Sequence, residues 1–157
     1  MMDVRSQIQS PELRRLYDYW DAQKAGRDYP TRADLDPREL RYVLGDMLLL
    51  DVLRDPLRFR FRLHGTNLVT RAGYDMTGRL VDDMPGESNR SLLLERCRTI
   101  VETGQPIRDR HYRVLQGLRY HYEVLWLPLA GEDGQINMLL GALRYDETPL
   151  TARPESD

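Results

Sequence analysis

Apolar and polar residues along this chain recur with two periods, and the switches between them mark out its elements. Leu13, Leu16, Tyr17 and Trp20 fall at i, i+3, i+4 and i+7, the spacing that puts side chains on one face of an α-helix. Ser10 suits its N-cap, Pro11 its first turn, and Gly26 lies just past its end. The spacing predicts a helix over about residues 10–25. A polar connection anchored by Tyr29 and Pro30 follows. It leads to Asp36-Pro37-Arg38-Glu39, where Asp can cap, Pro can start a helix and Glu can reach back to the cap. A short helix is predicted over about residues 37–44, stopped by Gly45 and Asp46.

The period then changes to that of strands. Met47–Leu53 (MLLLDVL) is almost wholly apolar and ends at Arg54-Asp55-Pro56, as a buried strand bounded by a turn should. Arg58–His64 alternates, with Phe59, Phe61 and Leu63 on one face and Arg58, Arg60, Arg62 and His64 on the other. These two strands form a hairpin. Short helical pieces are predicted near Asn67–Ala72 and Leu80–Met84, separated by Gly73 and Gly78. A longer helix runs from Ser88 or Ser91 to Thr103, with Leu93, Cys97, Ile100 and Val101 as its apolar face. Three strands close the pattern: Ile107–Leu115, Arg119–Leu129 and Gln135–Tyr145, joined by turns at Gln116-Gly117 and Gly131–Gly134. From Glu147 onward, Pro149 and Pro154 among polar residues predict a disordered tail.

This order implies an α+β fold: a five-stranded antiparallel sheet with helices on one face, preceded by an N-terminal helical lead-in. The units are residues 1–45 for the lead-in, 46–146 for the sheet domain and 147–157 for the tail.

Composition narrows the function classes. The 157 residues suit one domain, and 41% hydrophobic with 31% charged residues describes a globular chain with a solvated surface. The net charge of −2 carries no basic excess of the kind nucleic-acid binding needs. The arginines of Arg58, Arg60 and Arg62 lie opposite the aromatics of their strand, not among them, so ion pairing with neighbouring strands is the expectation. One cysteine rules out an intramolecular disulfide. The N-terminus lacks a signal-peptide core and no window has the length of a membrane span, so the cytoplasm is the expected location.

Little in the chain points to catalysis. His64, His111 and His121 fall on three strands without metal-ligand spacing, so neither a metal nor haem is expected. Asp82 and Asp83 are adjacent and diverge. Glu123 shares a strand face with His121, but an acid–base pair would need both in a cleft. There is no nucleophile elbow or phosphate-binding glycine loop. Tyr120, Tyr122, Val124 and Trp126 share one strand face and serve as core, as a pocket lining or as a dimer contact. The stripe of Leu13, Leu16, Tyr17 and Trp20 covers either its own sheet or a second subunit.

At the joint after the hairpin, Gly65-Thr66-Asn67, then Gly73-Tyr74-Asp75, then Gly78-Arg79 resembles the PAS pattern. In that pattern an Asn opens the first helix, a Gly-Tyr pair ends it and Gly-Arg starts the next segment. Leu16–Trp20 (LYDYW), Tyr29-Pro30-Thr31-Arg32 and Asp36-Pro37 resemble the lead-in of short stand-alone PAS proteins of bacteria. The resemblance spans about residues 10–145.

It implies a pocket between the sheet and the intervening helices, with Phe61, Leu63, Tyr74, Cys97, Tyr112, Tyr122 and Trp126 as candidate lining. It also implies a homodimer through Leu13, Leu16, Tyr17 and Trp20. The expected role is a sensory or signalling module binding a small molecule or partner protein. No output segment fits in the remaining residues, so output is expected in trans. A purely protein-interaction module with a packed core is the alternative. A cystatin-like enzyme is a third reading, disfavoured unless Met47–His64 is helical. The cofactor stays open: Asn67–Ala72 has no cysteine of the kind the flavin-binding blue-light group uses, and Cys97 has the ordinary setting of a buried hydrophobe.

Overall fold

The computed structural model describes residues 3–115 and 117–146, and the backbone of residues 150–151. The hairpin forms as β1 (Met47–Leu53) and β2 (Arg58–His64), followed by helix α3 (Thr66–Ala72), a 3₁₀ turn at Val81–Asp83 and helix α4 (Glu87–Thr103). Strands β3 (Ile107–Leu115), β4 (Leu118–Ala130) and β5 (Ile136–Tyr145) complete an antiparallel sheet of order β2-β1-β5-β4-β3. Ahead of it stand α1 (Val4–Gln7) and α2 (Pro11–Gln23). Since Met47–His64 is strand, the condition that would have favoured a cystatin-like enzyme is not met. No helix among the described residues is long and apolar enough to cross a membrane.

Two details differ from the sequence expectation. The helix expected over residues 37–44 is a pair of 3₁₀ turns, Pro37–Leu40 and Leu44–Asp46. The N–H groups of Val43 and Asp46 bond three residues back, at 3.0 and 2.9 Å, so the short segment tightens. The expected tail contains a two-residue strand, β6 (Leu150–Thr151), paired with Leu118 and Arg119. The rest of the expected tail after Asp146 lies outside the described residues.

The central strands of the sheet are buried on both faces, which explains why β1, β4 and β5 read as nearly continuous apolar runs. On one face, α3, the Val81–Asp83 turn and α4 pack over Leu50, Phe59, Phe61, Val124, Trp126 and Leu139. On the other, the lead-in packs over Leu49, Leu125, Leu127, Leu129, Leu140 and Ala142. Along β4 the two sets alternate residue by residue, as the period of a strand requires.

The lead-in therefore covers its own sheet. Leu13 and Leu16 are fully buried, and the Trp20 indole donates from Nε1 to the Pro128 carbonyl at 2.9 Å. This corrects the assignment of Leu13, Leu16 and Trp20 to a dimer interface: an amphipathic stripe seated on its own chain has no surface left for a second copy. Tyr17 is half-buried, tilted against Trp20 with ring centroids 5.5 Å apart. Glu123 fixes the start of α2. Its carboxylate accepts the backbone N–H groups of Gln9 and Ser10, each at 2.8 Å, and Arg108 Nε at 2.7 Å.

A bulge sets the register of the hairpin. Leu49 pairs with Leu63 but Leu50 with Phe61, leaving Arg62 without an opposite residue. One extra residue reverses the faces beyond it. Leu63 thus packs on the lead-in side, while His64 turns toward α3 and α4. As expected, the arginines pair with the neighbouring strand: Arg60 and Arg62 each approach Asp51 at 3.2 Å, although Arg58 is exposed.

Candidate functional site

Between α4 and the sheet lies a cavity of about 100 Å³. Its floor is the helix-facing side of β4 and β2. Trp126 lies flat against β5 because its register partner is Gly141, where any Cβ would overlap the indole ring. Phe61, Tyr122 and Val124 extend this apolar floor, and Leu68 of α3 with Leu92 and Leu93 of α4 form the roof.

The joint after β2 carries the remaining wall. Gly65 passes so close to Gly45 and Met47 that a Cβ would collide with the backbone, and its N–H bonds the Met47 carbonyl at 2.8 Å. Asn67 then donates to Asp46 at 3.2 Å, and Asp46 also takes Arg144 of β5 at 2.7 Å. These contacts fix the start of α3. Gly73 ends it, and Tyr74 turns into the cavity. Gly78 and Arg79 bond both backbone groups of Phe61, at 2.7 and 2.9 Å, extending the sheet past β2. The glycines and Asn67 of the joint thus have structural work, and Tyr74 is the residue of that motif that reaches the cavity.

The polar lining comes mainly from β3. Asp109, His111 and Arg113 face the cavity in alternation. Asp109 is bound by Arg96 of α4, an ion pair that bridges helix and sheet at the cavity's edge. The Arg113 guanidinium donates a long hydrogen bond to the Tyr74 hydroxyl at 3.4 Å and also interacts with the Tyr145 hydroxyl. Arg113 Nε and His111 Nε2 are buried and have no hydrogen-bond partner among the described residues. His111 Nε2 stands 3.6 Å from Asp109, beyond hydrogen-bonding reach.

His64 accepts the Met76 N–H through Nδ1 at 3.1 Å, which assigns its proton to Nε2. Burial lowers its pKa, opposed in part by the Asp75 charge, with Arg113 adding a smaller lowering effect, so the neutral imidazole is favoured. Burial pushes the Tyr122 phenol up to about 12 and raises that of Tyr145, so both keep their protons.

Of the seven sequence candidates, four line the cavity: Phe61, Tyr74, Tyr122 and Trp126. Three do not. Leu63 is carried to the opposite face by the bulge. Tyr112 stands 47% exposed on the outer side of β3, because it pairs with His121 and shares that outward face. Cys97 is wholly buried in the packing beneath α4, and burial raises its thiol pKa. The sequence reading missed His64, Arg96, Asp109, His111, Arg113 and Tyr145. Glu123, once paired in prospect with His121, is spent on the lead-in.

No group of three or more His, Cys, Asp or Glu among the described residues is arranged to hold a metal ion. A flavin adduct does not fit this site either: α3 carries no cysteine.

A sheet of this order, with helices after its second strand and a cavity beneath them, defines a sensory-domain fold. The PAS domain family model matches residues 8–144, and the chain belongs to that family. Solved structures agree on the fold. VqmA bound to DPO superposes with a TM-score of 0.56 at 13% identity, covering 71% of this chain and 58% of that one. The dark structure of the blue-light photoreceptor Aureochrome1 LOV gives 0.52 at 15% identity, over 71% and 82%. A sensory box sensor histidine kinase from Vibrio cholerae gives 0.52 at 17% identity, over 71% and 90%. This chain therefore spans less than two thirds of the VqmA chain. No curated protein matches it.

Proposed function

We propose that this chain is a sensory module that takes a small molecule into the cavity beneath α4 and passes its occupancy to another protein in trans. The observation that carries this reading is the cavity itself: an apolar floor of Phe61, Val124 and Trp126 beside a row of polar side chains on β3. Small-molecule sites combine these two features. VqmA, part of which is similar in fold, is described in complex with DPO and in a ligand–DNA complex, so a domain of this fold occurs in a ligand-binding protein. The bridge between Arg96 and Asp109 offers a route outward, since an occupant that displaces it changes how α4 sits on the sheet. Binding, not turnover, is the chemistry these residues suit.

The test is a titration of the ¹⁵N-labelled protein with small aromatic and aliphatic compounds, repeated on Leu143→Phe, which fills the cavity. Amide shifts on β3, β4 and α4 that vanish in the filled variant support the reading. Their absence with every compound at millimolar concentration rejects it.

A second reading, a protein-interaction module, rests on Tyr112 and Val114, 47% and 48% exposed on the outer face of β3. Homodimerisation belongs to this reading and would use that face. Sedimentation of Val114→Arg against the unaltered chain tests it: a shift from dimer to monomer favours it, and a monomer in both rejects it.

A further inference from the structure

From the charge inside the cavity we infer the class of its ligand: a small organic monocarboxylate, held by Arg113 with its apolar end against Trp126. This rests on the proposal that the cavity is a ligand site.

Arg113 is the key. Its guanidinium is permanently charged, lines the cavity and has no carboxylate within ion-pairing distance among the described residues. The one carboxylate lining the cavity, Asp109, is already engaged by Arg96. The lining therefore holds one unmatched positive charge. Elsewhere the buried carboxylates are matched: Asp51 by Arg60 and Arg62, Asp46 by Arg144, Glu123 by Arg108.

The hydrogen-bonding groups agree. Arg113 Nε is a buried donor without an acceptor, and a buried donor left so is costly. Tyr122 and Tyr145, held protonated by burial, are further donors beside it. A carboxylate supplies acceptors for several donors at once, and arginine binds it in the fork geometry that a lone neutral oxygen cannot use. A cation would meet like charge, and a neutral ligand would leave Arg113 uncompensated.

The apolar remainder and the size complete the description. Phe61, Leu68, Val124 and Trp126 line the other side, which favours an organic tail over a fully hydrated inorganic anion. At about 100 Å³ the cavity admits a short chain or, with slight widening, a single ring.

The experiment compares near-isosteres of different charge by calorimetry and by amide-shift titration: butyrate with butyramide, and benzoate with benzamide and benzamidinium. The inference expects each acid to bind at least tenfold tighter than its amide, and benzamidinium not to bind. In Arg113→Met the acids should fall to the level of the amides, and Arg113→Lys should restore part of the preference. Arg113→Gln replaces the Met variant should that one not fold. Amides binding as tightly as acids overturn the inference while leaving the cavity as a ligand site. Binding of none of the five compounds overturns the inference together with the reading it rests on.

Discussion

On the lead-in face of the sheet, Glu123 is 2% exposed and accepts three hydrogen bonds, two from backbone and one from Arg108. On the opposite face Arg113, carrying the opposite charge, meets only the tyrosine hydroxyls of Tyr74, at 3.4 Å, and Tyr145 among the described residues, and leaves Nε unpartnered there. The same strands build both settings. One face spends its buried charge on holding the chain together, and Trp20 fills the space above it. The other keeps a charge its own residues do not satisfy, beside a cavity its own side chains do not fill. Buried polar groups in folded proteins are normally paired, and two that are not, His111 Nε2 and Arg113 Nε, sit side by side in the lining of this cavity. That is the physical basis for placing the site under α4 and not under α2.

Substitutions on the lead-in face should be the most damaging. Trp20→Ala removes a ring that is 1% exposed and its bond to Pro128, and should cost about 4 kcal/mol in urea unfolding. Its oligomeric state should not change, in contrast to a role in a dimer interface. Glu123→Ala leaves Arg108 charged and two backbone donors orphaned, a loss of about 3 kcal/mol, with new amide exchange at Gln9 and Ser10.

On the cavity face the costs should shrink. Gly141→Ala pushes the Trp126 ring off β5, an overpacking that should cost about 2 kcal/mol, and moves the indole into the cavity so that ligand-induced shifts on β4 are lost.

The smallest effect is a pH dependence at His64. Its pKa is lowered in the fold, so between the folded value and the unfolded one of about 6.5 the unfolded chain binds more protons. Stability from the neutral imidazole is therefore complete above about pH 6.5 and declines as pH falls through that window. The melting temperature should drop between pH 7.5 and 5.5, and His64→Phe should reduce the drop. An unaltered drop in that variant assigns it to other groups.

Most of the fold was legible because the periods were clean. Strands β1, β2 and β3 have the bounds predicted from the sequence, and Gly65 and Gly73 flank α3 as the resemblance implied. The site was legible in half. Leu63 was misplaced because a bulge leaves no mark in a strand of strictly alternating residues, and with it His64 was missed. The β3 row was legible in principle: Leu115 stands opposite Leu118, hence Arg113 opposite Tyr120 and His111 opposite Tyr122. Opposite residues share a face, so the inward tyrosines of β4 already place Arg113 and His111 inward and Tyr112 outward. What sequence does not carry is which of these polar groups finds a partner. That depends on α4, whose Arg96 satisfies Asp109 and no side chain satisfies Arg113 Nε.

The central claim is that Arg113 is kept for what enters the cavity and not for the fold. Urea unfolding of Arg113→Met, without added ligand, tests it most directly. Replacing an unmatched, partly buried charge by an apolar side chain of similar length should leave the unfolding free energy unchanged or raise it by up to about 1 kcal/mol. A loss of about 2 kcal/mol or more, the scale of a broken buried pair, would contradict the account and return Arg113 to the structural framework.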